Sequence, residues 1–377
     1  MAMTDIPDLH SNSCGRDFHG EDSHGKCFLA KYFSESHSLG ELPSHEDFSH
    51  LLHQVISLLE QEDASYRPAS RTGTPGGLVD VVEHLPAVPT MIVPDLHGRG
   101  VFFQQILEFG PNLFEYFPQL AEAQKLSVLE LLEAGAMNLV CVGDGLHSEL
   151  CRERWLLALE EYESGNLLGG ALTEEMTEGL GLMTLVMRCK LAFPRHFHFL
   201  KGNHENILNC WEGGDRPFKK FAKEGEMSRG FVQQYYGEDI LHLYSHFERL
   251  LPLLVRAPRC LISHSEPVRN FSRQEVIDAL TDSSGEVVYG LTWTRNDESQ
   301  KGAVASMLQE FLPQWYGEGS GACGSLYFGG HRTISETYRL RQNGLFVQFH
   351  NPRRYQVALV PVHRGFDFEK DFIQLEN

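Results

Sequence analysis

The chain has no Cys-x-x-Cys pair among its eight cysteines (Cys14, Cys27, Cys141, Cys151, Cys189, Cys210, Cys260 and Cys323). In a chain this long, that pattern reads as reduced core thiols rather than a disulfide framework. Long apolar runs are also missing. Stretches such as Leu250 to Val255 are far too short to span a bilayer, so no membrane association is expected. Met1 to Cys14 contains neither a basic region nor an apolar stretch, so we expect no secretory signal and a cytoplasmic protein. Positive charge is scarce. Thirty-two Lys and Arg face 51 Asp and Glu, for a formal charge of -19. This argues against general nucleic-acid binding through a basic surface, but leaves room for a local site for a phosphorylated substrate. No internal repeat is visible.

What is present suits one large α/β domain, or a domain with an accessory segment: 377 residues, 42% of them hydrophobic. Nineteen histidines direct attention to metal chemistry. Residues 1–43 are polar, His-rich and aperiodic, and read as a flexible segment. Within 44–83, read as an accessory helix and linker, Phe48, Leu51, Leu52, Val55, Ile56 and Leu59 recur at helical spacing behind a Ser44/Asp47 capping pair. Asp63 to Gly77, with its Pro and Gly residues, reads as the linker. Residues 84–365 are expected to form the catalytic domain, and 366–377 a solvated acidic tail.

In the body of the chain, short apolar runs each lead at once into polar, reactive residues. Thr90–Val93 precedes Asp95 and His97, and Asn138–Val142 precedes Asp144. Phe197–Leu200 precedes Asn203 and His204, and Cys260–Ile262 precedes His264. Ser325–Phe328 precedes His331, and Leu345–Phe349 precedes His350. Helical stretches lie between many of these runs, at 101–109, 118–134, 149–162 and 173–192. Alternating strands and helices predict an α/β fold, whose ligands gather at strand carboxyl ends. Carboxylates, imidazoles and an amide oxygen suit first-row cations, and the seven groups from Asp95 to His331 are more than one ion needs even without His350. Two-metal sites are built for phosphoryl displacement. Asp17-Phe18-His19-Gly20 and Asp22-Ser23-His24-Gly25 repeat the Asp-x-His-Gly pattern, but neither follows an apolar strand, so both are set aside.

Asp95-Leu96-His97-Gly98, Gly143-Asp144, Gly202-Asn203-His204-Glu205, His264 and Gly330-His331, in that order, resemble the metallophosphoesterase (calcineurin-like phosphoesterase) pattern. The spacing is similar to its phosphoprotein phosphatase branch, which includes serine/threonine phosphatases and bacterial diadenosine tetraphosphatase-like enzymes. Phe247 to Leu254 and Ser265-Glu266-Pro267 resemble that branch as well. The resemblance implies two mixed β-sheets packed face to face and flanked by helices, with two divalent metal ions (Mn2+, Fe or Zn2+) at one edge. By the same resemblance, Asp95 and His97 hold the first metal and Asp144 bridges both. Asn203, His264 and His331 complete the second, and His204 is the general acid. The implied reaction is in-line attack of a metal-bridging hydroxide on a phosphate ester, with a phosphoprotein or nucleotide as substrate.

The sequence departs from the family at the second motif. Its usual Gly-Asp-x-Val-Asp-Arg-Gly becomes Gly143-Asp144-Gly145-Leu146-His147-Ser148-Glu149. His147 stands where an Asp orients the catalytic His, and Ser148 where an Arg grips phosphate. Glu149 or Glu205 can supply the missing carboxylate. Arg99, Arg295 or Arg332 can supply the missing cation, with Arg295 at the family's position for another phosphate-binding Arg. Thr333 replaces a further His common in the superfamily, which leaves the first metal three protein ligands. Pro94 stands where Gly is usual. Lys219, Lys220 and Lys223 read as a solvated run rimming the cleft, and His350 as a hydrogen-bonded loop residue. A phosphomonoesterase leads the functional readings. A nucleotide or dinucleoside polyphosphate hydrolase or phosphodiesterase comes next, then an inactive metal-binding scaffold.

Overall fold

The computed structural model describes residues 39–83, 85, 87–116, 126–315 and 324–376. Both rejected Asp-x-His-Gly matches and most of the His-rich segment lie outside the described residues. The strands are β1 (Leu78–Asp80), β2 (Thr90–Val93), β3 (Asn138–Cys141), β4 (Phe197–Phe199), β5 (Leu254–Ala257), β6 (Cys260–Ser263), β7 (Leu326–Gly329), β8 (Arg339–Arg341), β9 (Phe346–Gln348), β10 (Gln356–Val360) and β11 (Phe372–Gln374). The helices are α1 (His45–Glu60), α2 (Gly100–Glu108), α3 (Leu113–Tyr116), α4 (Val128–Glu133), α5 (Arg152–Glu163), α6 (Gly170–Ala192), α7 (Glu224–Tyr236), α8 (Glu238–Arg249), α9 (Arg273–Asp278), α10 (Glu286–Thr292) and α11 (Ala303–Phe311).

One sheet has the order β11-β10-β2-β3-β4, the other β1-β5-β6-β7-β9-β8. Each has a parallel centre: β2, β3 and β4 in the first, β6, β7 and β9 in the second. These strands read as unbroken apolar runs because both faces are buried. Met91, Val93, Leu139 and Cys141 pack with residues of α1, α2 and α6. Their neighbours Ile92, Val140 and Val142 pack against Val255, Ile262 and Phe328 of the other sheet. Leu261, Tyr327 and Phe346 pack with α9, α10 and α11 on the far side. The architecture is therefore helix, sheet, sheet, helix, as the resemblance implied.

Residues 44–83 are built into this body rather than set beside it. Ser44 Oγ caps α1 by accepting from the Asp47 N–H at 3.1 Å. Its six periodic apolar residues are buried, with the Phe48 ring 5.2 Å from that of Tyr236. The expected linker is anchored by Arg67, which donates to Glu62, to the Leu250 carbonyl and to the Gly76 carbonyl at 2.8 Å. Glu62 also meets Lys190 of α6 at 2.5 Å. β1 then joins a sheet. The acidic tail is likewise not a solvated face. β11 pairs with β10, because Asp371 is fully buried and accepts from Tyr116 Oη at 3.0 Å and Arg364 at 2.6 and 2.7 Å. Among the described residues, no helix is long and apolar enough to cross a membrane.

Candidate metal centre

The carboxyl ends of β2, β3, β4, β6, β7 and β9 open onto one edge of the two sheets. The residues that follow them meet there. His97 Nε2 lies 3.6 Å from Asp144 Oδ2 and 4.0 Å from Asp95 Oδ2. His264 Nε2 is 3.5 Å from Asp144 Oδ2. Asn203 Oδ1 faces His264 Nε2 at 3.0 Å and His331 Nδ1 at 2.9 Å. Three groups of donors are spaced closely enough to share an ion: Asp95, His97 and His350; His97, Asp144 and His204; Asp95, Asp144 and His264.

The backbone is bent to achieve this. His97, Asp144, His147 and His331 have φ of 44°, 53°, 71° and 60°. Positive φ in non-glycine residues costs about 1–3 kcal/mol each and persists where the surroundings over-determine it. The motif glycines have a steric reason too. A Cβ on Gly330 would meet Asp95 Oδ1 at 1.7 Å, and one on Gly202 would meet Asp144 Oδ1 at 2.2 Å. Glu205 accepts from the backbone N–H of Asp144 at 2.8 Å, Gly145 at 2.9 Å and Gly202 at 2.6 Å. It ties two motif loops together and is not available to orient His204.

Burial disfavours charge on five of the clustered imidazoles. It lowers His97 to about 4 and His147 to about 3, and pulls His204, His264 and His331 below the ordinary imidazole value. A neutral imidazole is the form that offers a lone pair to a metal. Burial, followed by Glu205 and Asp95, pushes the Asp144 carboxyl well above the usual range. A nearby cation would favour the charged form of this carboxylate. The donor set thus fits divalent ions.

His147 lies between His204 and α7. Its Nδ1 lies 3.1 Å from His204 Nδ1, and its Nε2 lies 3.0 Å from Ser228 Oγ on α7. We assign its ring proton to Nε2, donating to Ser228, so that Nδ1 accepts from the His204 Nδ1–H. Phe218 stacks on the His204 ring at 4.5 Å and meets His147 edge-on at 4.4 Å. Ser228 and Phe218 were not singled out in the sequence, and no local motif marks them.

The three candidate arginines fare differently. Arg99 is buried and donates to the backbone carbonyls of Asp95, Leu96 (3.1 Å) and Arg354 (3.2 Å), so it braces the first motif loop instead of facing substrate. Arg295 is exposed and pairs with Glu298 at 4.0 Å, not with the cluster. Arg332 is exposed directly beside His331. Lys220 also reaches the cluster, by binding Glu149. Glu149 in turn lies 3.3 Å from His97 Nε2 and 2.8 Å from His350 Nε2.

No protein-family model and no curated protein matches the chain. Solved structures do match. A protein serine/threonine phosphatase from Saccharomyces cerevisiae, with similarity to human phosphatase PP5, covers 92% of this chain over 94% of its own. The TM-score is 0.50 and the identity 15%. A cold-active protein-tyrosine phosphatase of a psychrophilic Shewanella species covers 80% of this chain and 82% of its own, with TM-score 0.40 and 12% identity. At these identities the first match shows the fold. This chain shares the fold of that yeast protein, with a cluster of candidate metal ligands at its sheet edge.

Proposed function

We propose that the chain is a dinuclear metal-dependent phosphoesterase acting on phosphate monoesters. The observation that supports this is the convergence of seven predicted groups, from five strand ends of two sheets, into one buried cluster of mutually close donors. Asp95 and His97 would hold the first ion, Asn203, His264 and His331 the second, and Asp144 would serve both. When bound, such a pair acidifies water and offsets phosphate charge.

The chain's own groups supply the rest. His204 would give a proton to the leaving oxygen from Nε2 as the imidazolium, once it has taken up the proton that the attacking water releases. Its Nδ1 is held by His147, so its Nε2 faces the Asp144 side at 3.9 Å. Phe218 covers one face of that ring and excludes water from it. Lys220 and Arg332 supply positive charge at the mouth in place of the Arg that Ser148 replaces. The phosphorylated substrate is a phosphoprotein or a nucleotide.

The test is Mn2+-dependent hydrolysis of an aryl phosphomonoester beside its diester analogue, with Asp95→Ala as control. Monoester turnover that vanishes in the variant supports the proposal. Diester preference points instead to a nucleotide or phosphodiester substrate. A protein that binds metal but hydrolyses neither, nor any phosphopeptide or dinucleoside polyphosphate offered, is a scaffold and the proposal falls.

A further inference from the structure

The resemblance leaves the first metal with three protein ligands. The structure places two more donors beside Asp95 and His97. Glu149 stands where the family has Gly, and His350 follows β9, one strand beyond the last family motif. Both are drawn into the cluster. His350 Nε2 lies 3.8 Å from Asp95 Oδ2 and 2.8 Å from Glu149 Oε2. Glu149 Oε1 lies 3.3 Å from His97 Nε2, which is itself 3.6 Å from Asp144 Oδ2.

These spacings have a simple geometric meaning. Donors about 2.1 Å from one ion stand about 3 Å apart when adjacent and about 4.2 Å apart when opposite. Every separation just given falls between about 2.8 and 4.0 Å. The side chain of His350 is fully buried, and its Nδ1 has no hydrogen-bond partner among the described residues. The ring's polar contacts therefore lie on the Nε2 side, toward the carboxylates. Glu149 is also nearly buried, and its second contact is the Lys220 ammonium, the kind of outer partner that orients a ligating carboxylate.

We propose that Glu149 and His350 are ligands of the first metal, which is then held by Asp95, His97, Asp144, Glu149 and His350. This rests on the dinuclear reading above. Five protein donors leave one position of six for water or substrate. Three carboxylates and two imidazoles in a six-coordinate set suit manganese or iron better than tetrahedral zinc. His350 takes over the role of the imidazole that Thr333 removes, from a neighbouring strand end. Glu149 adds a negative charge that the family's site lacks. The second ion, with Asn203, His264 and His331, keeps more open positions and becomes the one at which substrate oxygens compete with water.

The experiment measures bound metal after equilibrium dialysis, with unfolding curves as a check on folding. Wild type is expected to bind two equivalents of Mn2+, whereas Glu149→Gln combined with His350→Gln binds one. Asn203→Ala, aimed at the other ion, is expected to retain the first. If the double variant still takes up two equivalents with only about 10- to 100-fold weaker affinity, both residues are outer partners and the inference fails. If wild type itself binds fewer than two, the dinuclear reading falls with it, which separates the two failures. A second measurement needs no variant. In protein labelled with 15N-histidine and titrated with Zn2+, four imidazoles (His97, His264, His331 and His350) should take metal-bound shifts. Three shifted rings, with the His350 signal unmoved, overturns the assignment even if the variants prove too unstable to dialyse.

Discussion

At the scale of single residues, the motif positions were legible because each sits directly after an apolar strand, where chemistry needs polar groups. Their partners were not legible, because Ser228 and Phe218 reach the cluster only through tertiary packing. His204 is the sharpest test of the assigned roles. His204→Gln should lower kcat by about 10^2- to 10^4-fold while leaving two bound metals. His147→Ala should give a smaller loss of the same kind, with little change in KM, because its ring only holds His204. A KM effect with unchanged kcat would remove both from proton transfer. Asp144 makes a second prediction with an unusual sign. Its carboxyl is pushed up by burial, then by Glu205 and Asp95, so the buried charge works against folding unless a cation is present. Asp144→Asn keeps an Oδ1 acceptor for the His204 N–H, seen at 3.0 Å. The metal-free variant should therefore melt at or above metal-free wild type, yet show no metal-dependent turnover. A large drop in melting temperature would mean that the residue is needed for the fold itself.

At the scale of elements, segments with a clear helical period or an apolar run leading into a motif were readable, and the others were not. The 3.6-residue spacing of α1 and the apolar runs of β2 and β3 are strong local signals. β8 and β11 are three residues each and only partly buried, so neither alternation nor an apolar run marks them. The segment between α1 and β1 looked like a linker because Pro, Gly, Ser and Thr make up much of its composition. Composition does not reveal that Arg67 makes its bonds to Glu62 and to the distant Leu250 carbonyl. The consequence is that α1 stabilises the core and is not an appendage. Phe48 is fully buried against Tyr236 and Tyr244. Phe48→Ala should destabilise by about 3–5 kcal/mol, the usual cost of such a cavity, read as a shift in denaturant midpoint. A change under about 1 kcal/mol would mean that α1 docks only loosely on α8 and α6.

At the scale of the whole molecule, the two sheets and the helices on either side are held in register by buried polar groups as well as apolar packing. Glu62 at the end of α1 joins Arg67, Lys190 of α6 and, through Arg67, the chain entering β5. Burial alone would raise the Glu62 carboxyl, but Lys190 and Arg67 more than reverse this and hold it at about 2. Lys190 moves the opposite way to a usual paired lysine, because burial lowers it and Glu62 only partly restores it. We weight the carboxylate, since two cations face it while the ammonium has a single anion. A carboxyl held near 2 instead of 4.5 makes the folded chain more stable by about 3 kcal/mol. The sign follows from the depressed value. This contribution is complete above pH 4.5 and is lost as pH falls from there toward 2. Buried His198 and His196 act earlier in the same direction. Both are lowered by burial, so the unfolded chain takes up their protons first as pH drops below 6.5. These groups should therefore contribute two losses of stability on acidification, one beginning near pH 6.5 and one below 4.5. Glu62→Gln should be less stable at neutral pH and should lack the second loss while keeping the first. Denaturant unfolding at a series of pH values, followed by circular dichroism, reads both losses. A variant whose stability still falls as steeply as wild type below pH 4.5 would move the acid-sensitive charge away from the junction of α1, α6 and the sheet.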